Sequence, residues 1–316
     1  MPNDGSTMNC AVLVHAIDWE SSSPFHEIDH GITLHKTTGS KVEALYHNLC
    51  ENHNIDQGEP FTYHFHVLFN GAVHQYLLMD IGGRYSIITK LCNIIVICLS
   101  YPLDMCRMIV SADNFETAFV PPEIIYDSIY GDSELDILRL HPDRIDFGKD
   151  GSISYSVDLK ALNDVNLKEI QNCWINQKAL NDCHRIANAL SYFFYSWHSF
   201  YLDHVCLNLA ITLESLFSRS STTELSHRIA FNFSRMHGKN YEERQSDYKL
   251  IRKFYNLRSS IVHGGIAKDE ELYRIVPHVF HLTANILKRI LMDKELSSFY
   301  RDEKKLNQLF DQWLFT

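Results

Sequence analysis

The chain is poor in the features that most readily announce a function. Its eight cysteines are scattered along 316 residues with no CxxC pair, so neither a zinc-finger pattern nor a disulfide framework is legible, and they read as reduced thiols. A GxxxxGK[ST], GxGxxG or GxSxG pattern is likewise missing, which removes the usual footholds for nucleotide-binding folds and serine hydrolases. There is no long hydrophobic run. The most apolar stretch, Ile94-Ile95-Val96-Ile97-Cys98-Leu99, follows Lys90 and Asn93 and is far short of the roughly 20 residues a membrane span needs. The N-terminus shows no basic segment leading into an apolar one, so the expectation is a soluble, cytoplasmic protein with no membrane association. Net positive charge is also lacking: at −10 overall, the chain does not suit a protein that coats nucleic acid indiscriminately by neutralising phosphates.

What is present is a hydrophobic fraction of 45% against 22% charged, enough to bury a substantial core. The texture changes along the chain. Residues 1–160 carry strand and turn patterns: Thr62–Phe69 and Ala72–Ile81 flank Asn70-Gly71, and Arg144–Phe147 and Ser152–Val157 flank Asp150-Gly151. Both dipeptides favour two-residue hairpin turns. Lys41–Asn52 and Ile87–Ser100 have helical apolar spacing, though the second also fits a buried strand. From about Asn166 the pattern is almost purely helical. Helices are expected near Gln177–Asp203, Val205–Phe217, Glu224–Met236, Tyr241–His263, Glu270–Asp293 and Glu295–Trp313. Ser221, Thr222 and Thr223 offer N-cap hydroxyls before Glu224, and Gly264-Gly265 offer a C-terminal stop. The expected architecture is therefore α+β: an N-terminal mixed domain over 1–160, then an up-and-down helical bundle over 161–316.

The helix expected to end at His263 concentrates the chemistry. Leu250, Phe254, Leu257 and Ile261 form an apolar stripe, and Arg252, Asn256, Ser259 and His263 form a polar one. Ser259 lies one turn before His263. At a helix C-terminus, His263 meets negative partial charge that favours its protonated form, which suits a proton donor near neutral pH. Arg258 is rotated from His263 by about 140° and continues the row Tyr248, Ile251, Tyr255, Val262 at the edge of the buried stripe. A guanidinium there needs an acidic partner, an aromatic face or an anionic ligand such as phosphate. Residues 219–263 hold nine basic side chains against four acidic ones, a local basic excess able to focus a polyanion, although a solvated helical face accounts for the charge as well.

Three segments, LNLAITLESLFS (207–218), ELSHRIAFNFSRM (224–236) and YKLIRKFYNLRSSIVHGG (248–265), together resemble the Apea-like branch of the HEPN superfamily of helical ribonucleases, over about residues 200–293. The Arg-to-His spacing alone is weak, since Arg274 and His281 also satisfy it; the surrounding helices carry the likeness. The resemblance implies catalysis by Arg258 and His263, with Ser259 in the auxiliary position that is commonly Asn in that family. It implies RNA cleavage through attack of the ribose 2′-OH, without metal or cofactor, leaving a 2′,3′-cyclic phosphate and a 5′-hydroxyl. His263 would be general acid or base, and Arg258 would hold the phosphate. It further implies a homodimer in which two such motifs share a cleft, and a toxin or anti-phage defence role with residues 1–160 as a sensing part. Arg228, Arg252 and Glu214 are candidate RNA or structural contacts, Glu214 through orientation of Arg258. The rival expectation is a non-catalytic HEPN-type dimerisation or RNA-binding module. Eighteen histidines raise a metal site at His64, His66 and His74, but hairpin alternation puts His74 on the opposite face, so no metal is expected.

Overall fold

The computed structural model describes residues 8–15, 17–38, 75–80, 88–100, 104–112, 118–119, 145–147, 153–155, 160–199, 201–219, 224–264 and 269–315. The expected hairpin on Asn70-Gly71, the helix over Lys41–Asn52 and the histidines 64, 66 and 74 lie outside them, as do Ser221, Thr222 and Thr223. The chain folds as two compact units.

The first unit is built on a six-stranded antiparallel sheet in the order β3-β4-β5-β1-β6-β7. Its strands are β1 (Met8–His15), β3 (Phe25–Asp29), β4 (Ile32–Thr38), β5 (Gln75–Asp80), β6 (Asp104–Ala112) and β7 (Ala118–Phe119). Strand β1 is central, pairing with β5 and β6 (Val12 opposite both Met79 and Met108). The β3–β4 hairpin pairs Asp29 with Ile32 and turns on His30-Gly31, where Gly31 supplies φ 70°. A short parallel pair joins β2 (Ile17–Trp19) to β10 (Lys160–Leu162). This pairing across some 140 residues is reinforced by Glu20 and Ser21 N–H donating to the Leu162 carbonyl at 3.1 and 3.2 Å. Ile28, Ile32 and Leu34 are fully buried.

The second unit contains most of the helical residues. Helix α1 (Ile88–Leu99) resolves the ambiguity between helix and strand, and its apolar run is buried throughout this unit. Buried Asn93 is satisfied at both ends, donating to the Leu190 carbonyl (2.8 Å) and accepting from Trp197 Nε1 (3.0 Å). No helix among the described residues is long and apolar enough to cross a membrane. Strands β8 (Ile145–Phe147) and β9 (Ile153–Tyr155) form the expected hairpin, but Phe147 pairs with Ile153. Five residues separate them, an odd number that a simple two-residue turn on Asp150-Gly151 does not leave.

The expected helix Gln177–Asp203 is instead three: α2 (Asp164–Ala179), α3 (His184–Trp197) and the start of α4 (Leu202–Phe217). Cys183 and Tyr201 are extended caps (φ −85° and −107°); the first break goes unregistered by apolar periodicity because it contains neither glycine nor proline, and the second lies a few residues before the expected break at His204. Helices α5 (Leu225–His237), α6 (Tyr241–Val262) and α7 (Asp269–Met292) follow. The expected Glu295–Trp313 helix divides into α8 (Lys294–Phe299) and α9 (Glu303–Gln312) at Asp302, whose carboxylate accepts from the N–H groups of Lys304 and Lys305. The cap residue of α5 is Glu224 at φ 56°, without a side-chain cap.

Helix α4 is the axis of this unit, packing against α3, α5, α6 and α7. Aromatic rings fill the space around it: Phe193 of α3 stacks on Phe280 of α7 (5.0 Å), and Phe217 meets Phe233 of α5 (6.0 Å). The α5–α6 corner is tight because a Cβ on Gly238 would stand 2.7 Å from the Arg244 backbone nitrogen. Asn240 caps α6 by accepting from Glu243 N–H, while the Glu243 carboxylate accepts from Lys239 N–H, both at 2.8 Å.

Candidate active site on the α6 helix

Helix α6 runs 22 residues and buries Asp247, Ile251, Phe254, Tyr255 and Leu257. Leu250 and Ile261 are only half-buried, so the buried face is rotated from the expected stripe toward the Ile251–Tyr255–Arg258 row. Arg258 thus continues the core face and does not merely edge it. Buried Tyr255 reaches α4, its hydroxyl donating to the Ala210 carbonyl (3.4 Å).

His263 is the C-cap of α6 (φ −90°, ψ 13°), its N–H donating to the Ser259 carbonyl at 3.1 Å. Gly264 follows at φ 73° with its N–H on the Ile261 carbonyl, the left-handed residue that ends many helices. Both His263 and Ser259 are exposed, and their hydrogen bond runs through the backbone. A solvent-facing imidazole at the helix end can exchange a proton with a bound substrate.

Arg258 meets Glu214 of α4, with Nη2 3.7 Å from Oε1 and side chains 34% and 25% exposed. That separation is electrostatic contact without a hydrogen bond. Arg258 Nε and Glu214 Oε1 are both buried and lack any protein hydrogen-bond partner. Burial raises the Glu214 pKa above the usual carboxylate value, partly offset by the Arg258 charge. The same guanidinium bears on two further groups. Burial pushes the Cys206 thiol up to about 12, with Arg258 opposing and Asp203 adding to the shift. Burial, and then Glu214, push the Tyr255 hydroxyl up, again against Arg258. Cys206 and Tyr255 were not singled out in the sequence, because only the packing of α4 on α6 brings them to Arg258.

The remaining candidates disperse. Arg252 donates to Ser226 Oγ of α5 at 2.9 Å. Arg228 lines a groove between α5 and α9. Five residues of helix carry His263 about 7.5 Å along the axis from Arg258 and about 140° around it, so one chain does not converge them on a single face. The other spacing match is occupied elsewhere: Arg274 pairs with Glu270 one turn away at 2.8 Å. Among the described residues no cluster of three or more potential metal ligands occurs. The chain matches no protein-family model, no curated protein and no solved structure.

Proposed function

We propose that this chain is a HEPN-type endoribonuclease that cleaves RNA without metal, acts in the cytoplasm as a homodimer, and serves as a toxin or anti-phage effector. The observation that carries this reading is the state of Arg258. Its guanidinium is held in the bundle face with a buried, unpartnered Nε and an ion-pair partner too distant to hydrogen-bond. A phosphate offers the acceptors that Glu214 leaves unmet. In the proposed reaction Arg258 holds the scissile phosphate and offsets its added transition-state charge. His263 exchanges a proton with the attacking 2′-OH or the leaving 5′ oxygen. Because the two side chains diverge on α6, the site is composite: Arg258 of one copy serves beside His263 of the other, and Ser259 lines the shared cleft. The N-terminal sheet unit would hold the trigger that licenses cleavage.

The test is incubation of the purified chain with total RNA in EDTA, wild type against His263→Ala, with product ends analysed. Chelator-resistant cleavage that leaves cyclic phosphates and disappears in the variant is expected. Unchanged cleavage by His263→Ala would remove His263 from the mechanism.

A second reading, a non-catalytic HEPN-type dimerisation or RNA-binding module, draws on the same ion pair. Glu214 already gives Arg258 an acidic partner within the chain. A wild type that binds RNA as a dimer and leaves it intact would favour that reading.

A further inference from the structure

We infer that the groove between α5 and α9 binds one unpaired RNA nucleotide, outside the Arg258–His263 site; the choice of RNA rests on the function proposed above. The groove encloses about 530 Å³, within the range of small-ligand sites. Its walls come from segments far apart in sequence: Arg219 just after α4, His227, Arg228, Phe231 and Asn232 on α5, and Asn307 and Phe310 on α9.

The lining divides by chemistry. His227 and Arg228 stand side by side on the first turn of α5. His227 Nδ1 is engaged with the Tyr248 hydroxyl at 2.7 Å, a partner that fixes the ring. This pair supplies the donors for a phosphate. Arg219 is anchored differently: it donates to Asp311 (2.6 Å), and its guanidinium carbon lies 5.7 Å from the Phe310 ring centroid. Phe310 is fully buried, so Arg219 and half-buried Phe231 are the flat surfaces a base would meet. Asn307 also lines this space, and its Oδ1 is buried without a protein hydrogen-bond partner. A buried amide oxygen left unpaired is costly, and the exocyclic amine of a base is a donor that would satisfy it. Glu224 also lines the groove; its charge disfavours polyphosphates and leaves a single phosphodiester as the fitting anion.

Arg252 links this groove to α6 through Ser226, the neighbour of His227. His263 lies eleven residues further along that helix, about 16 Å by helical rise. The groove would therefore hold a nucleotide away from the cut and contribute to the choice of strand.

The experiment uses full-length His263→Ala chain, which cannot cleave under the proposed mechanism, and a fluorescent single-stranded RNA followed by anisotropy. Arg228→Ala and Asn307→Ala should each weaken binding by roughly tenfold, with melting temperatures near that of the parent, while Lys304→Ala on exposed α9 surface should bind as the parent does. Nucleoside 5′-monophosphates should displace the RNA where the same concentration of inorganic phosphate does not. Unchanged affinity in both groove variants overturns the assignment, as does equal competition by phosphate alone. The two proposals fail separately. Arg228-dependent binding by a wild type that cuts nothing removes the catalysis and keeps the groove, whereas cleavage indifferent to the groove variants removes the groove and keeps the catalysis.

Discussion

Arg185 and Arg258 both approach helix α4, and they are used in opposite ways. Arg185 is engaged through all three of its side-chain nitrogens. It donates to the Ser215 and Ser218 carbonyls at 2.9 Å, pairing carbonyls at the end of α4, and forms two bonds to Glu303 at 2.7 and 2.9 Å. Arg258, two turns of α4 or fewer away through Glu214, has a 3.7 Å ion pair and an unpartnered Nε. An arginine that exists for architecture spends its donors inside the fold. One that retains an unmet donor in a half-buried setting is the stronger candidate for an external anion.

The comparison can be broken first at the catalytic end. His263→Ala should reduce RNA cleavage by about 10²–10⁴-fold with little change in melting temperature, since the side chain is exposed. Cleavage assays paired with thermal melts check both halves. Arg258→Ala comes next, with a loss on the order of 10²-fold or more in kcat and under about 1 kcal/mol in stability. A larger stability loss than activity loss would make Arg258 a second Arg185. Third, Arg185→Ala should cost about 2 kcal/mol by leaving carbonyls of α4 unpaired, measured by denaturant unfolding, while RNA binding by the folded fraction persists.

The smallest effect is one of sign. The Glu303 pKa is lowered, chiefly by its hydrogen bond with Arg185. Its contribution is therefore present above the ordinary carboxylate range and is lost as pH falls through the lowered folded value. Glu214 runs the other way. Its pKa is raised by burial, so folding is favoured below the ordinary value and that advantage disappears as pH rises through the folded value. Relative to wild type, Glu303→Gln should lose most stability near neutral pH, and Glu214→Gln should gain there. Unfolding titrations across the carboxylate range would reveal the opposite slopes; parallel slopes would mean both carboxylates serve architecture alone.

Helix α6 was the most legible element. Its Tyr241 start, its end at His263 and the Gly264 stop, here at φ 73°, all follow from local chemistry that lies within a few residues. The breaks at Cys183 and Asp302 fall among ordinary helix-compatible residues and leave no mark on apolar spacing, whereas the break at Tyr201 is expected a few residues later, between Asp203 and Val205. The β3–β4 turn on His30-Gly31 carries little local signal for a similar reason: it lacks the Asn-Gly or Asp-Gly pair that marks a hairpin turn. For the site, the demand that Arg258 find a partner was visible from its place on the helix, and Glu214 was among the candidates. The pairing itself, with Cys206 and Tyr255 beside it, depends on how α4 docks against α6. Asn307 gave no sequence hint, because its importance comes from a buried oxygen that only tertiary structure defines.

The Glu214 carboxylate has one more consequence. Being tethered beside Arg258, it behaves as an intramolecular competitor whose effective concentration is fixed by the fold. A phosphate held by Arg258 as proposed would have to displace that carboxylate, which would turn away weakly held ions from the surrounding pool. A polyanion delivered by several other contacts can win the exchange. Under the proposed function, the 3.7 Å Arg258–Glu214 pair would make Glu214 a selectivity threshold for the phosphate that Arg258 takes.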